Sequence, residues 1–121
     1  MSTPTRIELH LKSATLELEY PEEGVFVLDA EYLRVHSPSA EVRGHGEGEV
    51  LQTGKRQVRL ENIEVVGSYA LKITFSDGHD TGLFTWKYLL ELGQNREEYW
   101  AIYLDKLSQA GASRDTIFEA L

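Results

Sequence analysis

The spacing of the apolar residues changes once along this chain, at Thr85. Before Thr85, segments such as residues 6–12, 15–20 and 69–75 alternate apolar and polar side chains with a period of two. This alternation buries one face of a β-sheet and leaves the other face in water. After Thr85 the period is about 3.6, which is typical of helices with one apolar face. Strands followed by helices predict an α+β domain.

The first part of the chain predicts an antiparallel, strand-rich sheet of about six strands. The remaining strands are predicted at residues 25–28, 58–66 and 80–84. The dipeptide Asp77-Gly78 predicts a hairpin turn, because both residue types tolerate positive φ. Asp29 is placed to cap a short helix over residues 30–35.

Two to three helices are predicted, mainly at the C-terminal end. Thr85 can cap the first of them, and Gly93 can end it in a left-handed conformation. Asn95 and Glu98 have the spacing of a capping box for a second helix. A last short helix is predicted over residues 113–121.

Length and composition limit what the chain can do. Its 121 residues predict a single domain, 1–121. The sequence has no cysteine, which excludes disulfides, thiolate metal sites and cysteine nucleophiles. A net charge of −8 argues against binding nucleic acid or anionic membranes, which both attract basic surfaces. The N-terminal residues do not resemble a signal peptide, so a cytoplasmic location is expected.

Two segments carry a family resemblance. Residues 32–42 read YLRVHSPSAEV, and residues 67–89 read GSYALKITFSDGHDTGLFTWKYL. Together they resemble the gamma-butyrobetaine hydroxylase-like N-terminal domain family, long classed as a domain of unknown function. The resemblance covers a core of residues 7–93 and leaves residues 94–121 as a C-terminal helical extension. It is closest in type to stand-alone bacterial members that lack the zinc-binding cysteines.

The resemblance also implies a degenerate zinc site. In zinc-bearing members three cysteines and one histidine bind the ion, and these positions fall on Ser37, Ser39, Val42 and His79 here. Serine hydroxyls are poor zinc ligands and valine is none, so no metal and no cofactor are expected. His79 is expected to be structural, with its ring hydrogen-bonded to the loop over residues 37–42.

An alternative hypothesis keeps a metal. His36, His45 and His79 are candidate ligands for zinc or another divalent metal, which suggests a metal-binding or metal-delivery protein. His10 lies on an alternating strand, where a solvated position on the sheet face is expected. An enzyme is not expected: no Gly-x-Ser-x-Gly motif is present, and the catalytic domain of the related oxygenases is absent.

The leading hypothesis is a non-catalytic, cytoplasmic accessory module that binds another protein. The domains to which the family is fused imply a role near iron–sulfur assembly or Fe(II) enzymes. The expected form is a monomer or weak homodimer that binds neither nucleic acid nor membrane. Aromatic and apolar side chains near the C-terminus predict the partner surface: Tyr99, Trp100, Tyr103, Ile117 and Phe118.

Overall fold

The computed structural model of the protein describes residues 3–39 and 50–115. Six strands and three helices lie in these ranges. The strands are β1 (Arg6–His10), β2 (Thr15–Tyr20), β3 (Gly24–Asp29), β4 (Leu60–Val66), β5 (Ala70–Phe75) and β6 (Leu83–Thr85). The helices are α1 (Ala30–Val35), α2 (Trp86–Gln94) and α3 (Arg96–Ala110).

The strands form two antiparallel sheets, with the orders β1-β2-β3 and β4-β5-β6. The α+β class and the six strands are therefore confirmed, but the strands are divided into two sheets of three. Helix α1 directly follows β3, and β4 belongs to the second sheet, so β3 and β4 are not joined by a hairpin. The Arg59 guanidinium links the two parts by donating to the carbonyls of Leu11 and Lys12, each at 2.6 Å.

The main core lies where the inner faces of the strands meet α1 and α2. Alternation in β2 buries Leu16, Leu18 and Tyr20 and leaves the glutamates between them on the outer face. Two buried tyrosines reach the backbone of α2: the hydroxyl of Tyr20 donates to the carbonyl of Trp86, and that of Tyr32 donates to the carbonyl of Leu92, both at 2.7 Å. Their hydroxyls are thus satisfied inside an otherwise apolar core.

Two predicted helix caps are confirmed. The Asp29 carboxylate accepts from the amide of Tyr32 at the start of α1. The Thr85 hydroxyl accepts from the amide of Tyr88 at the start of α2. Both caps satisfy an amide that has no partner within its helix, so the sequence signal and the local structure agree.

Two other helix predictions are wrong. Gly93 does not end α2 but lies within it, and a Cβ at this position would stand 2.7 Å from the Phe26 ring, so packing requires the glycine. Asn95 makes no side-chain cap for α3, because its amide instead donates to the carbonyl of Glu91 and closes α2. Asn95 thus lies at the junction of α2 and α3, and its side chain stabilises the end of α2.

Helix α3 contributes Tyr103 and Leu107 to a second, smaller core cluster, in which they pack with Val35. It ends at Gly111, whose φ of 63° is left-handed and fits glycine. Most of the last predicted helix, with Ile117 and Phe118, lies outside the described residues. Across the described ranges, no helix has both the length and the apolar character needed to span a membrane.

Candidate functional site

Two places concentrate functional side chains. The first is a polar cluster of the buried residues Arg34, Ser37 and His79 with the partly exposed Lys55 and Asp77, which joins the end of α1 to the hairpin after β5. The second is an aromatic groove between α2, α3 and residues 50–52. The polar cluster coincides with the predicted degenerate zinc site.

The hydrogen bond expected between His79 and the upstream loop is present. The Ser37 hydroxyl lies 2.8 Å from Nε2 of His79, and the two residues are 0% and 6% exposed. The hairpin sets the position of the histidine, because Gly78 has a φ of +87° and the Asp77 carboxylate accepts from the amide of His79. A hydrogen bond thus joins two segments 42 residues apart in the chain.

Asp77 binds two cations at the edge of this cluster. Its Oδ2 accepts from Nε of Arg34 at 2.9 Å and from Nζ of Lys55 at 2.8 Å. The Arg34 side chain is only 8% exposed, so its charge depends on this carboxylate. Burial alone raises the pKa of Asp77, but the hydrogen bonds from Lys55 and Arg34 outweigh it and lower the pKa to about 2.

This ion-pair network was not predicted from the sequence. Lys55 and Asp77 are 22 residues apart, and no local pattern links them. The available signal was the pairing of the two family motifs, which places the residues after α1 beside the Asp77-Gly78 turn.

The cluster is closely packed around Gly82. A Cβ at Gly82 would overlap the Ser37 hydroxyl and lie 3.1 Å from Cδ of Pro38. The backbone conformation of Gly82 does not itself require glycine, so the constraint is space. The absence of a side chain at residue 82 allows Ser37 to reach His79.

The residues of this cluster do not fit zinc. Ser37 already bonds the imidazole, Ser39 offers a hydroxyl, and neither supplies a thiolate. Among buried side-chain atoms of the described residues, only Nη1 of Arg34 and Oγ of Ser39 lack a hydrogen-bond partner. The remaining predicted position, Val42, lies outside the described residues.

The histidines of the alternative metal hypothesis are not brought together in the described part of the chain. His36 donates from Nδ1 to the carbonyl of Tyr32 at 2.8 Å, and its ring packs near Tyr99. His45 lies outside the described residues. Within residues 3–39 and 50–115, the one group of three potential ligands close enough to share an ion is Glu8, His10 and Glu17, on β1 and β2.

His79 should matter more for stability than His10. We expect His79→Ala to lower the free energy of unfolding by about 2 kcal/mol, because it removes a buried ring and leaves the Ser37 hydroxyl unpaired. His10→Ala should change it by less than about 0.5 kcal/mol, because the His10 side chain is 39% exposed. Urea denaturation followed by circular dichroism measures both. Equal small losses would contradict the structural role of His79.

The aromatic groove has a volume of about 240 Å³. Three tyrosines line it, and each hydroxyl has a partner: Tyr88 donates to the carbonyl of His36, Tyr99 to the Glu91 carboxylate, and Tyr103 to the carbonyl of Gln52. The groove therefore presents ring faces and aliphatic side chains together with the polar side chains of Gln52, Glu91 and Lys106. Its lining residues are Val35, His36, Val50, Leu51, Gln52, Tyr88, Glu91, Tyr99, Ile102, Tyr103 and Lys106.

The predicted partner surface corresponds to this groove only in part. Tyr99 is half-buried and lines it, whereas Tyr103 is 5% exposed and belongs mainly to the core. Trp100 is half-buried and packs against both core clusters, with the Arg114 guanidinium 5.0 Å from its ring centre. Sequence reasoning missed Tyr88 and Ile102. Ile102 follows Tyr99 at the i, i+3 spacing of one helix face, which was the available signal.

Comparisons with known proteins place the chain in a family. A family model described as gamma-butyrobetaine hydroxylase-like, N-terminal, matches residues 7–90. None of the curated proteins matches the sequence.

Solved structures agree with this assignment. Two NMR solution structures are 52% and 44% identical in sequence to this protein, with TM-scores of 0.85 and 0.81. Their alignments cover 100% and 99% of this chain and 96% and 90% of the other chains. A crystal structure of a protein with unknown function from Acidithiobacillus ferrooxidans is 36% identical, has a TM-score of 0.63, and is aligned over 74% of this chain and 91% of that one. The chain therefore belongs to the gamma-butyrobetaine hydroxylase-like, N-terminal family.

Proposed function

We propose that this protein is a non-catalytic module that binds a segment of another protein in the aromatic groove. The observation that carries the proposal is a concave surface that combines three tyrosine rings and exposed aliphatic side chains with a polar margin of Gln52, Glu91 and Lys106. Ile102 and Val50 are 46% and 51% exposed, although both line the groove. Apolar and aromatic surface of this kind is characteristic of protein recognition sites.

The size of the groove favours a side chain over a small metabolite. Its volume of about 240 Å³ is below the range of about 300–1,000 Å³ that is usual for small-molecule sites. A volume of this order suits one large apolar side chain of a partner, as in the pockets that hold interface hot spots. The tyrosine hydroxyls bond to protein groups, so the rings offer mainly apolar contact.

The charge near the groove favours a basic residue beside the apolar side chain of the partner segment. The hydrogen bond from Tyr99 to Glu91, together with partial burial and the nearby Glu98 charge, raises the pKa of Tyr99 to about 12. Two carboxylates, Glu91 and Glu98, and one cation, Lys106, therefore lie at or close to the groove, which leaves a net negative charge there on a chain with a net charge of −8. The partner segment that fits best carries one large apolar residue next to lysine or arginine.

The serine–histidine pair does not argue for an enzyme. A serine hydroxyl 2.8 Å from an imidazole is also the arrangement found in hydrolases. Ser37 is 0% exposed and Gly82 packs against its hydroxyl, so a substrate carbonyl has no approach to this hydroxyl from solvent. Asp77 is bound to Arg34 and Lys55 and accepts from the backbone amide of His79. The pair is thus better suited to holding two segments together.

The context of the proposed interaction comes from the family. The resemblance to domains fused to Fe(II)-dependent oxygenases and to iron–sulfur carriers favours an accessory role beside such proteins. We place this role in the cytoplasm and assign it to a monomer or weak homodimer. Metal delivery through His36, His45 and His79 receives no support from the described residues, because His36 and His79 each bond to other groups.

The groove can be tested with Ile102→Glu. We expect this change to weaken binding at least about tenfold, because a carboxylate would be desolvated in the apolar contact. The probes are peptides selected by phage display on the untagged protein, and fluorescence anisotropy measures their affinity. Selected sequences should carry a large apolar residue beside lysine or arginine.

Leu104→Glu provides the matched control. Leu104 lies on the same helix and is 39% exposed, but it does not line the groove. Its replacement should leave peptide affinity within about twofold, because the new charge stays in solvent. Selected peptides that bind Ile102→Glu as tightly as the wild type, or a selection that yields no binding sequence, would overturn the proposal.

A further inference from the structure

The outer face of the first sheet carries a cluster that the proposed function does not use. Glu8 and Glu17 are directly opposite in the β1–β2 register, and His10 lies two residues along β1. Side chains two residues apart on a strand point to the same face, so all three project from the outer side of the sheet. Their side chains are 48%, 23% and 39% exposed for Glu8, Glu17 and His10, so solvent ions can reach them.

The donor atoms are already spaced as in a metal site. Nε2 of His10 lies 3.0 Å from a carboxylate oxygen of Glu17 and 3.6 Å from one of Glu8. All three donor atoms lie within 4.8 Å of one another. In a tetrahedral zinc site with bonds of about 2.0–2.1 Å, neighbouring donors are about 3.3 Å apart. Little rearrangement is therefore needed for a shared ion.

Arg6 orients the two carboxylates toward the imidazole. Its guanidinium binds Oε1 of Glu8 at 2.8 Å and Oε2 of Glu17, whereas His10 faces Oε2 of Glu8 and Oε1 of Glu17. Each carboxylate thus gives one oxygen to Arg6 and directs the other toward His10. Hydrogen bonds to the outer oxygens of ligating carboxylates are a regular feature of metal sites.

The local charge also suits a dication. Arg6 is surrounded by Glu8, Glu17 and Glu19, so three carboxylates and one guanidinium leave two negative charges beside the imidazole of His10. This net negative charge attracts a dication to the outer face of the first sheet.

We propose that Glu8, His10 and Glu17 form a surface site for a divalent transition-metal ion of the zinc type. One imidazole and two carboxylates are a ligand set that zinc accepts, and solvent would complete the coordination. The ion would replace the proton on Nε2 of His10, since a ligating imidazole must be neutral at that nitrogen. This site is separate from the groove and from the degenerate cysteine positions, and it does not depend on the proposed function.

The test is a titration of zinc chloride into untagged, chelator-stripped protein, followed by isothermal calorimetry and by ¹H–¹⁵N NMR spectra. We expect one ion per chain, with the largest shift changes on β1 and β2. His10→Ala should weaken binding at least about tenfold, because it removes the nitrogen ligand. Circular dichroism of the variant shows whether it is folded, which the exposed position of His10 favours.

The variant Glu19→Gln distinguishes ligation of zinc from general electrostatic attraction of zinc to an acidic surface. Glu19 is bound by the same arginine but is not within reach of His10 as a ligand, so its loss removes one negative charge and no donor. We expect it to weaken zinc binding by no more than about threefold. Equal weakening by Glu19→Gln and His10→Ala would show attraction to an acidic face alone and overturn the proposal. Shift changes confined to other histidines, or the absence of saturable zinc binding, would also overturn it.

Discussion

We expect Asp77→Asn to lower the free energy of unfolding by about 2–4 kcal/mol at pH 7, because it removes the counter-ion of a buried arginine. The Arg34 side chain is 8% exposed, and its Nη1 already has no hydrogen-bond partner, so it has little access to water. Asparagine keeps an oxygen that can accept from the amide of His79, so the hairpin turn itself is preserved. The loss of unfolding free energy therefore measures the contribution of the negative charge on Asp77.

Asp115→Asn is the control for this prediction. Asp115 pairs with Arg56 at 2.7 Å, but their side chains are 62% and 43% exposed. Exposed pairs of this kind contribute about 0–1 kcal/mol, so the control should unfold close to the wild type. Thermal denaturation followed by circular dichroism compares the three proteins. Similar small losses in both variants would show that Arg34 does not need Asp77.

The same interaction gives the stability a defined dependence on pH. The folded-state pKa of Asp77 is about 2, below the usual value of 3.8. A carboxylate with a lowered pKa stabilises the fold above its unfolded pKa and loses that contribution as the pH falls toward its folded pKa. The difference in stability between wild type and Asp77→Asn should thus be constant from pH 7 to about pH 5 and shrink between about pH 4 and pH 2. A difference that stays constant down to pH 2.5 would contradict the assignment.

Local signals were sufficient for the elements of the fold. Alternation in β2 and the caps at Asp29 and Thr85 depend on neighbouring residues, and the structure has them as predicted. Gly93 and Asn95 were misread because distant or shared contacts decide their roles. Gly93 leaves room for the ring of Phe26, which lies 67 positions earlier in the chain. The Asn95 side chain bonds to the end of α2, the helix that precedes it. The division into two sheets likewise depends on pairing between strands, which alternation does not specify.

The candidate sites show the same limit. The contact between Ser37 and His79 could be expected because two family motifs were read together. The groove was not predicted, because its shape depends on how α2 and α3 pack against Leu51 and Gln52. Aromatic spacing along α3 indicated a surface, but the same spacing also describes residues that fill a core, and Tyr103 proved to be one of these. Helical periodicity identifies the apolar face of a helix, but it does not show which part of that face stays exposed to solvent.

Gly82→Ala should be about as destabilising as the loss of Asp77, although it adds only one methyl group. We expect a loss of about 2–4 kcal/mol, because the new Cβ displaces the Ser37 hydroxyl and the displacement breaks a buried hydrogen bond to His79. Pro38, at 3.1 Å from the same Cβ, limits how far the loop can move away. Thr81→Ala, at an exposed neighbouring position, should change the stability by less than about 0.5 kcal/mol.

A double-mutant cycle with Ser37→Ala tests the cause of this loss. Ser37→Ala alone removes the hydroxyl that bonds His79, so it should cost about 1–2 kcal/mol. In that background Gly82→Ala no longer meets the hydroxyl, and its added cost should fall to about half its value in the wild type, with Pro38 accounting for the remainder. Urea denaturation of the four proteins gives the coupling energy. Strictly additive losses would mean that Gly82 and the Ser37–His79 hydrogen bond stabilise the fold independently, and that the tight packing at residue 82 does not hold the serine in place.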